Sequence, residues 1–180
     1  MCPQIKWDVL KTEKVKKGRF EIIYETVQFS EEKVGPYSYI KYGADGVCIL
    51  PILPDGRICL VSQYRRPVGT VQFEVPAGMI DIGESPETTA VRELMEETGL
   101  CAVKLIDCGY IYSSPGSTTE KMFLFIAYCE EPRQSDTEQD PSEKIELHFF
   151  TVDQAKQMIT DNTIHHGSAQ VLFCRFIEKF

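Results

Sequence analysis

The chain predicts an α/β domain in which a mixed sheet lies between helices. Three observations carry this reading. Strand-like runs stand on both sides of one strongly signalled central helix, and two helix-like segments close the chain. One hundred and eighty residues with 43% hydrophobic content are one domain's worth of core. No internal repeat interrupts that order.

Taken in order, residues 4 to 42 hold strand candidates around Trp7 to Leu10, Phe20 to Phe29 and Tyr37 to Tyr42. Lys11, Lys14, Lys16 and Lys17 form the one basic cluster and read as a solvated turn. Gly46 to Leu53 and Arg57 to Tyr64 flank Pro54-Asp55-Gly56, a hairpin signal. Phe73 to Val75 is a short strand leading towards the central helix. Ala102 to Tyr112 and Glu120 to Glu130 are strand-like, separated by the loop Ser113 to Thr119. Glu131 to Glu143 is acidic, polar and carries two prolines, so it reads as a loop. Ile145 to Phe150 is a further strand, and helices follow near Val152 to Thr160 and Ser168 to Glu178.

The central helix has clear start and stop signals. Ser85 is a good N-cap, Pro86 suits the first helical position, and Glu87 favours the positive end of the helix dipole. Gly99 supplies the stop. At roughly 100° per residue, Ala90, Val91, Leu94 and Met95 share an apolar face, and Glu93, Glu96 and Glu97 fall on an arc on the other side. The three glutamates stand at i, i+3 and i+4, where side chains meet. Like charges so close oppose helix formation unless a positive group lies between them. A hard divalent cation, which prefers oxygen ligands, is the obvious candidate. A merely solvated acidic face is the plain alternative.

Composition narrows the classes. A net charge of −8 argues against a nucleic-acid-binding surface, which needs a basic patch, and it obliges any anionic ligand to find local cations. Seven cysteines without a Cys-x-x-Cys pair fit a reducing compartment, with Cys48, Cys59 and Cys129 as small core residues. No signal-peptide-like or membrane-spanning stretch is present in the sequence, so the expected location is cytoplasmic, with no membrane partner.

Gly78, Glu84, Arg92, Glu93, Leu94, Glu96, Glu97, Gly99 and Leu100 match the fixed positions of the Nudix box, and the chain resembles a Nudix hydrolase. Gln63-Tyr64-Arg65-Arg66-Pro67 and Phe73-Glu74-Val75-Pro76-Ala77-Gly78 are similar to the lead-in of the ADP-ribose pyrophosphatase branch. Pro115, sixteen positions after Gly99, is similar to a proline that marks that branch. The likeness covers residues 44 to 180 well and residues 1 to 43 only loosely. It implies a Nudix-type α/β/α sandwich over 44–180. It also implies a small N-terminal antiparallel sheet over 1–43 that serves a homodimer and the substrate side.

The resemblance also assigns roles. It implies that Glu93 and Glu97 are direct Mg²⁺ ligands (Mn²⁺ being the alternative), with Glu96 bound to a further ion or its waters and the backbone carbonyl of Ala77 as an extra ligand. Glu84 and Arg92 would orient these ligands and hold the loop against the helix. The general base is expected at Glu143, with Glu138, Asp140 and Glu146 nearby. Arg65 would contact a diphosphate, since guanidinium binds phosphate in a bidentate way. Arg66 is the candidate for a structural ion pair. Glu74 would accept from a ribose or adenine donor or add a metal contact. Phe20 and Tyr37 align loosely with aromatics that stack adenine, and equally suit core or interface positions. Pro115 and Gly116 would line the substrate side. His165 and His166 read as loop residues.

The implied activity is Mg²⁺-dependent hydrolysis of ADP-ribose to AMP and ribose 5-phosphate. Another nucleoside diphosphate sugar, such as GDP-mannose or ADP-glucose, is the near alternative. A non-catalytic ligand sensor fits less well, because the whole box is intact.

Overall fold

The structure, a computed structural model, describes residues 6–130 and 145–179, with the backbone alone for Lys179. Glu138, Asp140 and Glu143 lie outside the described residues. The chain forms two compact units, Met1–Ala44 with Tyr112–Glu120, and Asp45–Ile111 with Lys121–Phe180.

The first unit is a three-stranded antiparallel sheet of β1 (Asp8–Lys17), β2 (Phe20–Ser30) and β3 (Lys33–Tyr42), with β2 central. The lysine cluster is not a turn. Lys11, Lys14, Lys16 and Lys17 pair in register with Thr26, Ile23, Glu21 and Phe20, so they belong to an exposed edge strand. Lysines on an edge strand discourage pairing with a further strand. Pro36 is tolerated because β3 is the other edge of this sheet. The segment 113–119 is laced onto β3: Ile40 N donates to Ser117 O at 2.9 Å, and Thr119 N donates to Ile40 O at 3.0 Å.

The second unit holds a seven-stranded mixed sheet. It contains β4 (Gly46–Ile52), β5 (Ile58–Arg65), β6 (Thr70–Glu74), β7 (Ala77–Met79), β8 (Ala102–Tyr112), β9 (Lys121–Cys129) and β10 (Glu146–Phe150). Its order is β10-β5-β4-β9-β8, with β6 paired to β5 and β7 to β4, and β4 runs parallel to β9. Residues of β4 alternate between two cores. Cys48, Leu50 and Ile52 pack with Ala155 of α2 (Val152–Thr160) and with Ala169, Leu172 and Phe173 of α3 (Gly167–Lys179). Val47 and Ile49 pack with Ala90 and Leu94 of α1 (Pro86–Thr98). Helices therefore cover both faces, and every residue of β4 is buried. Each large apolar side chain fully buried this way contributes about 1.5–3 kcal/mol.

The short strand β7 escaped the sequence reading, and β6 begins three residues before the expected Phe73. Both depend on partners distant in sequence: Thr70 to Glu74 pair with β5, and Ala77 to Met79 with β4. Cys48, Cys59 and Cys129 are buried, as the apolar runs around them imply. His165 and His166 lie in the loop before α3.

Candidate active site

The helix α1 forms as its sequence dictates. Ser85 Oγ accepts from Thr88 N at 3.2 Å. Gly99 adopts φ 68°, a left-handed conformation that costs glycine little, and its N–H donates to Met95 O at 2.8 Å. Which face is buried differs from expectation. Thr89, Ala90, Leu94 and Thr98 are buried, whereas Val91 is 48% and Met95 40% exposed. On a wheel of roughly 100° per residue, Glu93 and Glu97 fall between Thr89 and Leu94, within the sheet-facing arc. The carboxylates therefore do not stand opposite the core.

Two of them are seated against β7. Ala77 N donates to Glu97 Oε2 at 3.2 Å. The Glu93 side chain, 13% exposed, lies against Gly78, where an added Cβ would sit 1.9 Å from its Cδ and 2.0 Å from Oε1. Only glycine leaves room for that carboxylate. Burial pushes the Glu93 carboxyl above its ordinary range, and Arg92 opposes the rise. Glu96, 54% exposed, is the outward member.

Arg92 is the hub. Its Nε donates to Glu84 Oε1 at 3.2 Å, and Nη2 donates to Glu84 Oε2 at 3.0 Å and to Met79 O at 3.3 Å. Nη1 donates to Glu93 Oε1 at 2.8 Å and to Glu96 Oε2 at 3.0 Å. Thr89 Oγ1 donates to Glu84 Oε2 at 2.8 Å. The Arg92 bonds, then that of Thr89, hold the Glu84 carboxyl below its ordinary value, and the bonds to Glu84 lead in raising the Arg92 guanidinium. The segment between β7 and α1 is thus closed onto the helix by one guanidinium.

These partners divide the three helix glutamates. Glu93 and Glu96 meet at Arg92 Nη1, and Glu97 turns to the Ala77 amide. Among the described residues no three acidic, histidine or cysteine groups converge on one point. The donors themselves are carboxylate oxygens, a set that suits a hard divalent cation and not a soft one.

Arg65 and Glu74, given separate roles by the sequence reading, are bonded to each other. Arg65 Nε donates to Glu74 Oε1 at 2.9 Å and Nη2 donates to Oε2 at 2.6 Å, a bidentate pair around a buried carboxylate. Arg65 is thus itself a partner in an ion pair. Glu74 pairs with Val61, and alternation puts both on the sheet face that carries Cys59 and meets α1. Arg65, Glu74 and the box glutamates therefore share one side of the sheet. The nearby charge of Glu97 adds to the burial and the Cys129 interaction that push the Cys59 thiol up to about 12.

The remaining expected residues lie in the first unit. Phe20 is paired with Tyr42 and Tyr37 with Glu25, which puts the two rings on opposite faces of the small sheet. No single base can be sandwiched between them within one chain. Phe20 packs edge-on against Tyr42 at 5.1 Å under the Arg19 guanidinium, while Tyr37 OH donates to Gly116 O at 3.2 Å. Pro115 and Gly116 are exposed. That Tyr37 supports the 113–119 loop was invisible in the sequence, since the two are 79 positions apart.

No helix among the described residues is long and apolar enough to cross a membrane. The ADP-ribose pyrophosphatase of Bacillus subtilis (strain 168) is 31% identical over 154 residues, 85% of this chain and 83% of that protein. The methanol dehydrogenase activator of Bacillus methanolicus is 29% identical over 163 residues, 90% and 88% of the two chains. A crystal structure of an ADP compounds hydrolase matches in fold with a TM-score of 0.84 at 23% identity, over 96% of this chain and 93% of that one. The NUDIX domain model spans residues 44–171, which include the strand, loop and helix that build the Arg92 cluster, and the chain belongs to the NUDIX domain family.

Proposed function

We propose that the chain hydrolyses the pyrophosphate bond of ADP-ribose, giving AMP and ribose 5-phosphate, and depends on a divalent cation, Mg²⁺ in the first instance. The observation that carries this is the seating of Glu93 on Gly78 and of Glu97 on the Ala77 amide, in a chain whose relative of 31% identity is an ADP-ribose pyrophosphatase. When bound, the cation neutralises the diphosphate and acidifies the attacking water. Glu93, Glu97 and the Ala77 carbonyl would hold it, and Glu96 a further ion or its waters. Arg92 and Glu84 keep the helix and the preceding loop in register for that work.

The difficulty of the reaction is charge: a water attacks phosphorus at an anionic group and the anhydride P–O bond breaks. Glu143 takes the proton of that water as general base in this reading. Arg65, held flat by Glu74, offers guanidinium character to the diphosphate, and Glu74 lies beside it to accept from a sugar or base donor. Phe20 and Tyr37 are the candidates to stack on the base, with Pro115 and Gly116 also binding the substrate. A cytoplasmic homodimer joined through the N-terminal sheet completes the proposal.

The test is phosphatase-coupled hydrolysis of ADP-ribose, GDP-mannose, ADP-glucose, NADH and diadenosine polyphosphates, with and without Mg²⁺. Preferred, metal-dependent turnover of ADP-ribose, lost in Glu97→Gln, supports the reading. A preference for another sugar keeps the carboxylate chemistry and replaces the substrate. Binding without turnover on every compound overturns the enzyme.

A further inference from the structure

Arg92 is bonded on two fronts. Its Nε and Nη2 hold Glu84, with Met79 O as a further acceptor. Its Nη1 faces the other way and bridges Glu93 Oε1 and Glu96 Oε2 at 2.8 and 3.0 Å. One nitrogen thus links two of the helix carboxylates proposed above as cation ligands, and the Arg92 side chain is only 27% exposed. An oxygen lone pair given to this donor is not available to a metal. A guanidinium within bonding distance of the same oxygens also repels a dication, more strongly where water is partly excluded.

We propose that Arg92 is a resident counter-cation in exchange with the divalent ion. Nη1 would release Glu93 Oε1 to the ion, and Glu96 Oε2 to a further ion or its waters, while Glu84 retains Nε and Nη2 and keeps the side chain docked. The exchange prevents the like charges of α1 from facing one another bare, and it sets cation affinity lower than the carboxylates alone provide. It also gives a reason for the two-sided grip. An arginine held by Glu93 and Glu96 alone would swing away on exchange, whereas Glu84 leaves it poised to return. This inference rests on the metal-dependent reading of the same site.

Calorimetric titration of the substrate-free chain with MgCl₂ tests it without reference to turnover. Arg92→Lys keeps the charge but not the planar fork that reaches Glu84 and the helix pair together. It is expected to bind Mg²⁺ about tenfold more tightly than wild type, the scale of one charge-assisted hydrogen bond. Arg92→Gln should bind more tightly still and melt lower in EDTA. On the unsubstituted chain, the Arg92 guanidinium resonances followed by ¹⁵N NMR should shift as Mg²⁺ is added. Wild-type binding with no gain in either variant, or with unmoved Arg92 resonances, overturns the exchange and leaves the metal reading standing. No Mg²⁺ binding to wild type at all overturns both.

Discussion

The carboxylate of Glu93 occupies the space that a side chain at residue 78 would fill, its Cδ 1.9 Å from where a Cβ would stand. The contact joins β7 to α1 across fifteen positions of sequence. Because the crowded atoms are the end of a side chain that can rotate, the clash in Gly78→Ala is relieved by moving Glu93 and not by unfolding. The variant should therefore lose little stability, about 1 kcal/mol or less. Its hydrolysis should fall by about 100-fold, the scale of a ligand displaced by an ångström. Parallel melts and kinetics check this, and a variant that keeps full activity would break the link between the seat and the chemistry.

Glu143→Gln should lower kcat by at least about 100-fold, the usual worth of a general base. Mg²⁺ affinity should stay unchanged, because the proposed ligands are on β7 and α1. Single-turnover kinetics with a matched metal titration read both quantities, and near-wild-type turnover would return the assignment to Glu138, Asp140 or Glu146.

The Arg65–Glu74 pair should show strong coupling. Arg65→Met strands a buried carboxylate and should cost about 3–5 kcal/mol, whereas Arg65→Met with Glu74→Met removes both charges and should recover much of that loss. Denaturant melts of the two single variants and the double variant give the coupling energy. Strict additivity would mean that the pair is screened by solvent.

Leu94→Ala should destabilise by about 2–5 kcal/mol through the cavity it leaves between α1 and the sheet. Met95→Ala, four-tenths exposed one residue later, should cost far less. Equal costs would mean that the helix buries the face first expected from the sequence.

Cys59 and Cys129 give a pH signature. Burial, foremost, pushes their thiols up to about 12 and about 11, above the ordinary value of 9.0 that applies once the chain unfolds. The folded chain thus holds protons that the unfolded chain has released between pH 9 and the raised values. Stability is fully present below pH 9 and falls as pH rises through that window, by at most about 1.4 kcal/mol per pH unit for each thiol. Wild type should lose more stability than Cys59→Ala between pH 9 and 11, measured by urea melts under reducing conditions. Parallel slopes would remove Cys59 as a source.

The sequence alone determined what local chemistry determines. Ser85, Pro86 and Gly99 bound α1 because capping and left-handed backbone are properties of single residues in their immediate neighbourhood. The box from Gly78 to Leu100 was legible for the same reason, as were the β4–β5 hairpin and the two closing helices. Tertiary structure decided what depends on partners far along the chain. The strand β7 exists because β4 pairs with it, and the lysines of residues 11 to 17 are a strand because β2 lies alongside. The helix turned Val91 and Met95 outward, against their hydrophobicity, because α1 meets the sheet along the arc holding Thr89, Ala90, Leu94 and Thr98. That same contact brought Glu93 and Glu97 inward. The pairing of Arg65 with Glu74, and the opposite faces of Phe20 and Tyr37, follow from strand register. Register is a relation between strands, and no single segment of sequence carries it.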